Sequence, residues 1–318
     1  MNAPAVRMTV GAAPHWRTST SITRMNLAFL LALLPTALLG AVAHAFGSRD
    51  VEVTGAFGPL NPLLKTGVTQ MGVGSGVLWF FGLLGIVLLA MGAGLLVEYA
   101  CQVVMRQPYH ATNGHGALMG LVLVLLCPPG VPLWMLVLGV ILTIFVGKQI
   151  FGGIGGYPMH PAMVGLLILT LSWPDQLYPV GAASIGAPNP AVIVVTALGG
   201  IALVLSGYVR WQVPLGTLLG VALATLLFRG ALDGGFWAQL SSGHIVLMTF
   251  FIGTDTTSSP ANRLAAFLCG AALGVLVILI RAYGVWADAV PFAVVLANVL
   301  NPLLDRIRPK VPRLEPVG

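Results

Sequence analysis

Charge is what this sequence has least of. Lys, Arg, Asp and Glu together supply 8% of its 318 residues, against about one quarter in a soluble globular protein. So few charges cannot coat a water-exposed surface. Cysteine is scarce as well: Cys101, Cys127 and Cys269 lie far apart in apolar segments and form no C-x-x-C pair. Neither a zinc site nor a cysteine-ligated cluster can be built on that pattern, and the three read as buried structural residues. The alternating strands of about ten residues that mark a membrane barrel are absent. So are a Walker sequence and an evident Ser/His/Asp set. The glycine clusters Gly72–Gly76 and Gly152–Gly156 follow no predicted strand, so they do not read as dinucleotide loops.

What is present is apolar length. Hydrophobic residues make up 57% of the chain, and Met25–Phe46, Val77–Val97, Val131–Gly147, Ala191–Tyr208 and Leu264–Ile280 are each long enough to be candidate spans. A helix needs about 20 residues to cross ~30 Å of hydrocarbon. The expected fold is an all-α integral membrane protein of about ten transmembrane helices. Its segments fall at 25–46, 77–105, 112–128, 131–148, 159–172, 190–208, 213–229, 244–254, 263–281 and 289–305. The run after Arg17 and Arg24 ends in Ala43-His44-Ala45, which resembles a signal-peptidase site. It is longer than a usual signal core of ~7–15 residues and reads as a retained helix.

The net charge of +6 comes from basic residues scattered between apolar spans, which speaks for membrane orientation and against nucleic acid. With the amino terminus inside, the inner side receives Arg7, Arg17, Arg24, Arg106, Lys148, Arg210, Arg263, Arg306, Arg308, Lys310 and Arg313. The outer side receives Arg49, Lys65, Arg229 and Arg281. Eleven against four fits the positive-inside rule. Both termini are expected in the cytoplasm of a multi-pass protein of the bacterial inner membrane.

An internal repeat runs through the chain. Gly114-His115-x-x-Leu118-Met119 recurs as Gly243-His244-x-x-Leu247-Met248, Gly139 pairs with Gly270, and Pro161-x-x-Val164-x-Leu166 with Pro291-x-x-Val294-x-Leu296, at offsets of 129, 131 and 130. Five helices separate the copies, an odd number, so the halves would be inverted. The expected organisation is a cytoplasmic tail 1–24, a first repeat 25–172, an outer loop 173–189, a second repeat 190–305 and a basic tail 306–318. Inverted repeats place a site near the midplane between discontinuous helices. Segments 112–128 and 244–254 are both short: one ends at Pro128-Pro129, the other runs into Gly253–Pro260. Irregular backbone at that depth is tolerated only where protein or a water-filled cavity satisfies it.

Asp255 reads either as an intramembrane acid, costly and usually functional, or as a carboxylate capping the helix that begins near Asn262. For Glu98, eight residues before Arg106, helix-end anchoring is favoured, and Asp255 is read the same way. His110, His115 and His160 fall near the inner ends of their helices, where interfacial packing is set against a metal or haem ligand role.

These motifs resemble a known family, that of RnfD from the Rnf electron-transport complex and its relative NqrB from the sodium-pumping NADH:quinone reductase. Glu98, Arg106 and Pro108 fit an E-x7-R-x-P element, and Pro128-Pro129 with Pro132-Leu133-Trp134 fits a proline turn. Gly147-Lys148-Gln149-Ile150-Phe151-Gly152-Gly153-Ile154-Gly155 is similar to G-K-x-I-F-G-G-x-G, and Phe250–Asp255 resembles F-F-x-x-T-D-P. Leu279-Ile280-Arg281 and the Ala289–Asp305 run match the family's end. The resemblance implies a ten-helix subunit of a redox complex, with other membrane and peripheral subunits as partners. It also implies flavin mononucleotide esterified to a threonine in an S/T-G-A-T motif, and riboflavin beside a G-G-x-G-x-N-x-x-N-P segment.

The sequence departs from that pattern at both flavin positions. Trp173–Pro190 contains no threonine, and Ser184 lacks the motif context, so no covalent FMN is expected. Tyr157 and His160 replace the two asparagines, which offer a flavin both a donor and an acceptor. Thr256 replaces the proline of T-D-P. The resemblance thus implies a cofactor pocket for non-covalent riboflavin, FMN or quinone at Gly152, Gly153, Tyr157, His160, Pro161, Thr254, Asp255 and Thr256. No catalytic residue and no metal ligand is assigned. The leading expectation is a divergent RnfD-like membrane protein that scaffolds its complex or couples redox flow to ion translocation. The second is an ion or small-molecule transporter or channel of the same fold without redox work. The third places a haem or metal between His115 and His160.

Overall fold

The computed structural model describes residues 21–47, 73–106, 113–128, 130–177, 189–228, 235–241, 244–260, 262–284 and 288–306. Arg7, Arg17, Pro108, His110, Pro129, Arg229, Gly243, most of the 173–189 loop and the tail beyond Arg306 lie outside the described residues.

All regular structure among the described residues is helical. It comprises α1 (Ile22–Gly47), α2 (Val73–Val104), α3 (His115–Leu126), α4 (Leu133–Ile141), α5 (Pro161–Ser172), α6 (Pro174–Leu177), α7 (Pro190–Leu205), α8 (Gln212–Leu227), α9 (Phe236–Ser241), α10 (Ile245–Leu247), α11 (Arg263–Tyr283) and α12 (Val290–Leu304). Two π turns, Leu142–Val146 after α4 and Met248–Ile252 after α10, and a 3-10 turn at Gln149–Phe151 complete the set. Each of the ten expected segments contains a helix, with ends shifted by a few residues. The short helices α6 and α9 are additional.

Four spans are long and apolar enough to cross a membrane: Ile22–Ala45, Gly76–Val104, Leu133–Phe151 and Arg263–Tyr283. Shorter apolar helices are α3, α5, α7, α8 and α12. On α2, Leu78, Phe81, Leu88, Leu96 and Val104 are exposed. A continuous apolar face of this kind belongs against lipid.

Helix starts follow local chemistry. Proline opens α5, α7 and α12, where its missing N–H costs no hydrogen bond. The Asn189 and Asn262 side chains accept from Ala191 N at 3.0 Å and Leu264 N at 3.1 Å to cap α7 and α11. Within the apolar bundle, small residues bring backbones together. Gly216 and Gly220 of α8 face Phe267 and Ala271, and Gly270 and Gly274 of α11 face Val213 and Thr217; a Cβ at any of the four would strike the opposing backbone. Gly94 of α2 lies against Gly116 of α3 in the same way.

The two halves place matched residues alike. His115 and His244 each stand at the start of a short helix, and Pro161 and Pro291 each stand at the start of α5 and α12. α1 packs on α7, and α5 on α12.

Candidate functional site

The two π turns set the site. A π turn holds one residue more than an α turn and often marks a functional position. After α4, Gly147 N donates to Leu142 O at 3.0 Å; after α10, Gly253 N donates to Met248 O at 2.8 Å. Gly147 lies against Pro161, leaving no room for a Cβ. Helical progression stops at each glycine. Lys148 follows the first, and Thr254-Asp255 follows the second.

Lys148 turns inward and is 1% exposed. Its Nζ donates to Glu98 Oε1 of α2 at 2.6 Å and lies 3.2 Å from His115 Nδ1. Gln102 Nε2 also donates to Glu98 Oε1, at 3.3 Å. Glu98 Oε2 sits over Gly116 and has no hydrogen-bond partner among the described residues. Glu98 is therefore no helix-end anchor, contrary to the expectation, but a fully buried carboxylate. Lys148 leaves the inner-face charge count for the same reason.

His115 Nε2 lies 3.2 Å from the Tyr157 hydroxyl, which donates to Asp255 Oδ1 at 3.2 Å. Asp255 Oδ2 accepts from Ser258 N at 3.1 Å and Ser258 Oγ at 3.0 Å. Asp255 thus braces its own loop and does not cap α11, whose cap is Asn262. It is half-buried.

The loop between α4 and α5 that carries Tyr157 turns on glycine. Gly152, Gly153 and Gly155 have φ of 96°, 92° and 92°, a region that costs other residues about 1–2 kcal/mol. From α12, Asn301 Nδ2 donates to Ser258 O. Asn298, its amide oriented by its hydrogen bonds, accepts from His160 N at 2.9 Å and donates to Ser258 O at 3.2 Å. The Tyr157–His160 loop and the Asp255–Ser258 loop are thereby held together from one helix.

Between them opens a cavity of about 240 Å³, lined among others by Asn26, Phe29, His115, Tyr157, His160 and Asp255. Ile22, at the start of α1, also lines it. Of the expected pocket residues, Tyr157, His160, Asp255 and Thr256 line it; Gly152, Gly153, Pro161 and Thr254 do not. Sequence reasoning assigned no site role to Glu98, Lys148 or His115 as one group, nor to Asn298 and Asn301. His115 and His160 do converge on the cavity, but no group of three or more His, Cys, Asp or Glu side chains suited to a metal occurs among the described residues.

A second buried polar group lies at the matched position of the other half. His244 Nδ1 is 2.6 Å from Asp288 Oδ2, and Val290 N donates to Asp288 Oδ1 at 3.0 Å. Burial pushes the Asp288 carboxyl up, but His244, the Val290 N–H and Arg281 outweigh it and hold the group below its ordinary value. Arg281 Nη1 donates to Gln239 O at 3.0 Å.

Residues 9–187 and 180–313 match the pattern of one protein family, described as NQR2, RnfD, RnfE. The chain belongs to the NQR2, RnfD, RnfE family. It is 27% identical over 258 residues to the D subunit of the ion-translocating oxidoreductase complex of Methanosarcina acetivorans, covering 75% of this chain and 86% of that protein. It is 29% identical over 312 residues to the protein of the same description from Citrobacter koseri, covering 74% and 89%. With that of Escherichia coli O157:H7 (strain EC4115) it shares 30% over 311 residues, covering 74% and 88%.

The flavins that the family resemblance implies can be tested against these side chains. The Tyr157 hydroxyl is committed to His115 and Asp255. His160 Nδ1 is the one buried cavity-lining side-chain atom without a partner among the described residues. Pockets that enclose drug-sized ligands run to about 300–1,000 Å³, above the volume found here. The loop in which a covalent FMN would sit lies mostly outside the described residues.

Proposed function

We propose that this chain is the RnfD-type membrane component of a multi-subunit electron-transfer complex, that it couples redox flow to ion translocation, and that it carries no covalent FMN. The observation that supports this best is the buried chain Glu98–Lys148–His115–Tyr157–Asp255. Intramembrane ionisable groups are costly and kept for function, and this set joins α2, α3, the α4–α5 loop and the loop after α10 in a protein of a redox family. The relatives' description as the D subunit of an ion-translocating oxidoreductase complex supplies the complex.

The proposed architecture is ten membrane crossings in two inverted five-helix repeats, 25–172 and 190–305, with both termini in the cytoplasm. The matched settings of His115 and His244, and the direct packing of α1 on α7 and α5 on α12, support it. Within the cavity, Tyr157, His160, Asp255 and Thr256 form the proposed binding surface, for water or a single ring such as a quinone headgroup.

Purification from native membranes tests the reading. Flavin- and iron–sulfur-containing subunits should accompany the chain, while a denaturing gel under ultraviolet light shows no fluorescent band at its mass. A fluorescent band overturns the FMN part; a chain that purifies alone overturns the complex. The cavity flanked by two π turns also suits a transporter without redox work. Ion flux in proteoliposomes lacking any electron donor would favour that second reading.

A further inference from the structure

We infer that Lys148, His115, Tyr157 and Asp255 form a proton relay between the cavity and the buried Glu98–Lys148 pair. The inference rests on the ion-coupling role proposed above and names the ion.

The hydrogen bonds fix a single direction. Tyr157 donates to Asp255, so its oxygen accepts from His115 Nε2, which therefore carries the ring proton. His115 Nδ1 is then the acceptor for the Lys148 ammonium, whose other contact is Glu98 Oε1. Donor follows donor from Lys148 to the Asp255 carboxylate. Each member can both release and receive a proton.

One transfer balances as follows. Lys148 gives a proton to His115 Nδ1, His115 gives its Nε2 proton to the Tyr157 oxygen, and Tyr157 gives its hydroxyl proton to Asp255. Lys148 and Asp255 end neutral, Tyr157 ends as a phenol, and His115 ends neutral in the other tautomer. Glu98, when protonated, returns a proton to Lys148. Loss of the Asp255 proton to the cavity, rotation of the Tyr157 hydroxyl and a flip of the His115 ring, which returns its N–H to the Tyr157 side, reset the chain. His115, Tyr157 and Asp255 line the cavity, whereas Glu98 and Lys148 lie behind it, 0% and 1% exposed.

A metal cation is a poorer occupant. The place beside Glu98 is filled by the Lys148 ammonium itself, and hard cations need about six oxygen ligands. His160, which lines the same cavity, and Cys101, on the Glu98 helix, are the other titratable groups that act on the chain electrostatically.

The test uses the intact complex in liposomes, with a pH dye and a sodium dye reporting ion movement per electron. Tyr157→Phe removes one hydroxyl and keeps the ring. Proton movement per electron transferred, read on whatever electron flow the variant retains, should fall about tenfold or more. Unchanged proton movement overturns the relay, as does sodium movement that protons merely follow. A wild-type complex without donor-driven electron flow instead sinks the reading as part of a redox complex. If Tyr157→Phe fails to accumulate, His115→Gln is measured the same way. On the purified full-length chain, infrared difference spectra after a pH jump should show the Asp255 carboxyl protonating, assigned with Asp255→Asn. Its slowing in His115→Gln supports the relay, and equal rates overturn it.

Discussion

Lys148 Nζ meets Glu98 Oε1 at 2.6 Å across 50 residues of sequence, and both side chains are 1% exposed. Removing one partner of such a pair strands the other charge, at a cost of about 3–5 kcal/mol. Glu98→Gln and Lys148→Met should therefore each depress the thermal midpoint of the detergent-solubilised protein. The double variant should recover most of the loss. Strictly additive losses would show that the two are uncoupled.

The α8–α11 contact yields a second expectation. Gly220→Leu drives a side chain into the Ala271 backbone, and overpacking costs about 1–3 kcal/mol or more. Gly85→Leu on α2 meets open space and should be tolerated. Folded yield by size-exclusion chromatography separates them, and equal yields would remove the glycine packing argument.

Asp288 supplies a pH dependence. Its folded carboxyl lies below the ordinary value of 3.8, so its stabilising contribution is complete above about pH 4 and lost as pH falls through the lower folded value. Thermal midpoints of wild type and Asp288→Asn should differ at pH 6–7, and the gap should close only as pH falls below 3.8. A gap that persists at low pH would contradict the assignment.

Orientation can be read with thiols. In a background without Cys101, Cys127 and Cys269, Trp211→Cys and Trp237→Cys replace residues that are 57% and 77% exposed. An impermeant maleimide added outside spheroplasts should label only the second. Labelling of both would break the proposed topology.

Much of this architecture is legible as apolar length, because hydrophobic runs and proline starts are local signals. The apolar runs locate ten segments, and the family resemblance brings Tyr157, His160 and Asp255 to one pocket. The Glu98–Lys148 pair was not legible. Periodicity says nothing about which helix faces which, so Lys148 passed for an inner-face cation and Glu98 for a helix-end anchor. One signal was present and unread: Thr143-Ile144-Phe145-Val146-Gly147 and Thr249-Phe250-Phe251-Ile252-Gly253 share a pattern, and both form π turns. Neither turn can be inferred from hydrophobicity, since the extra residue is apolar like its neighbours.

Those turns make the polar chain depend on residue count and not only on residue type. One residue advances an α-helix by about 100°. Deleting any one of Leu142–Val146 would therefore change the register in which Lys148 meets Glu98, beside a Gly147 that has no room for a side chain against Pro161. The protein would keep every charge it has, yet the two that matter most would no longer be held in the same setting.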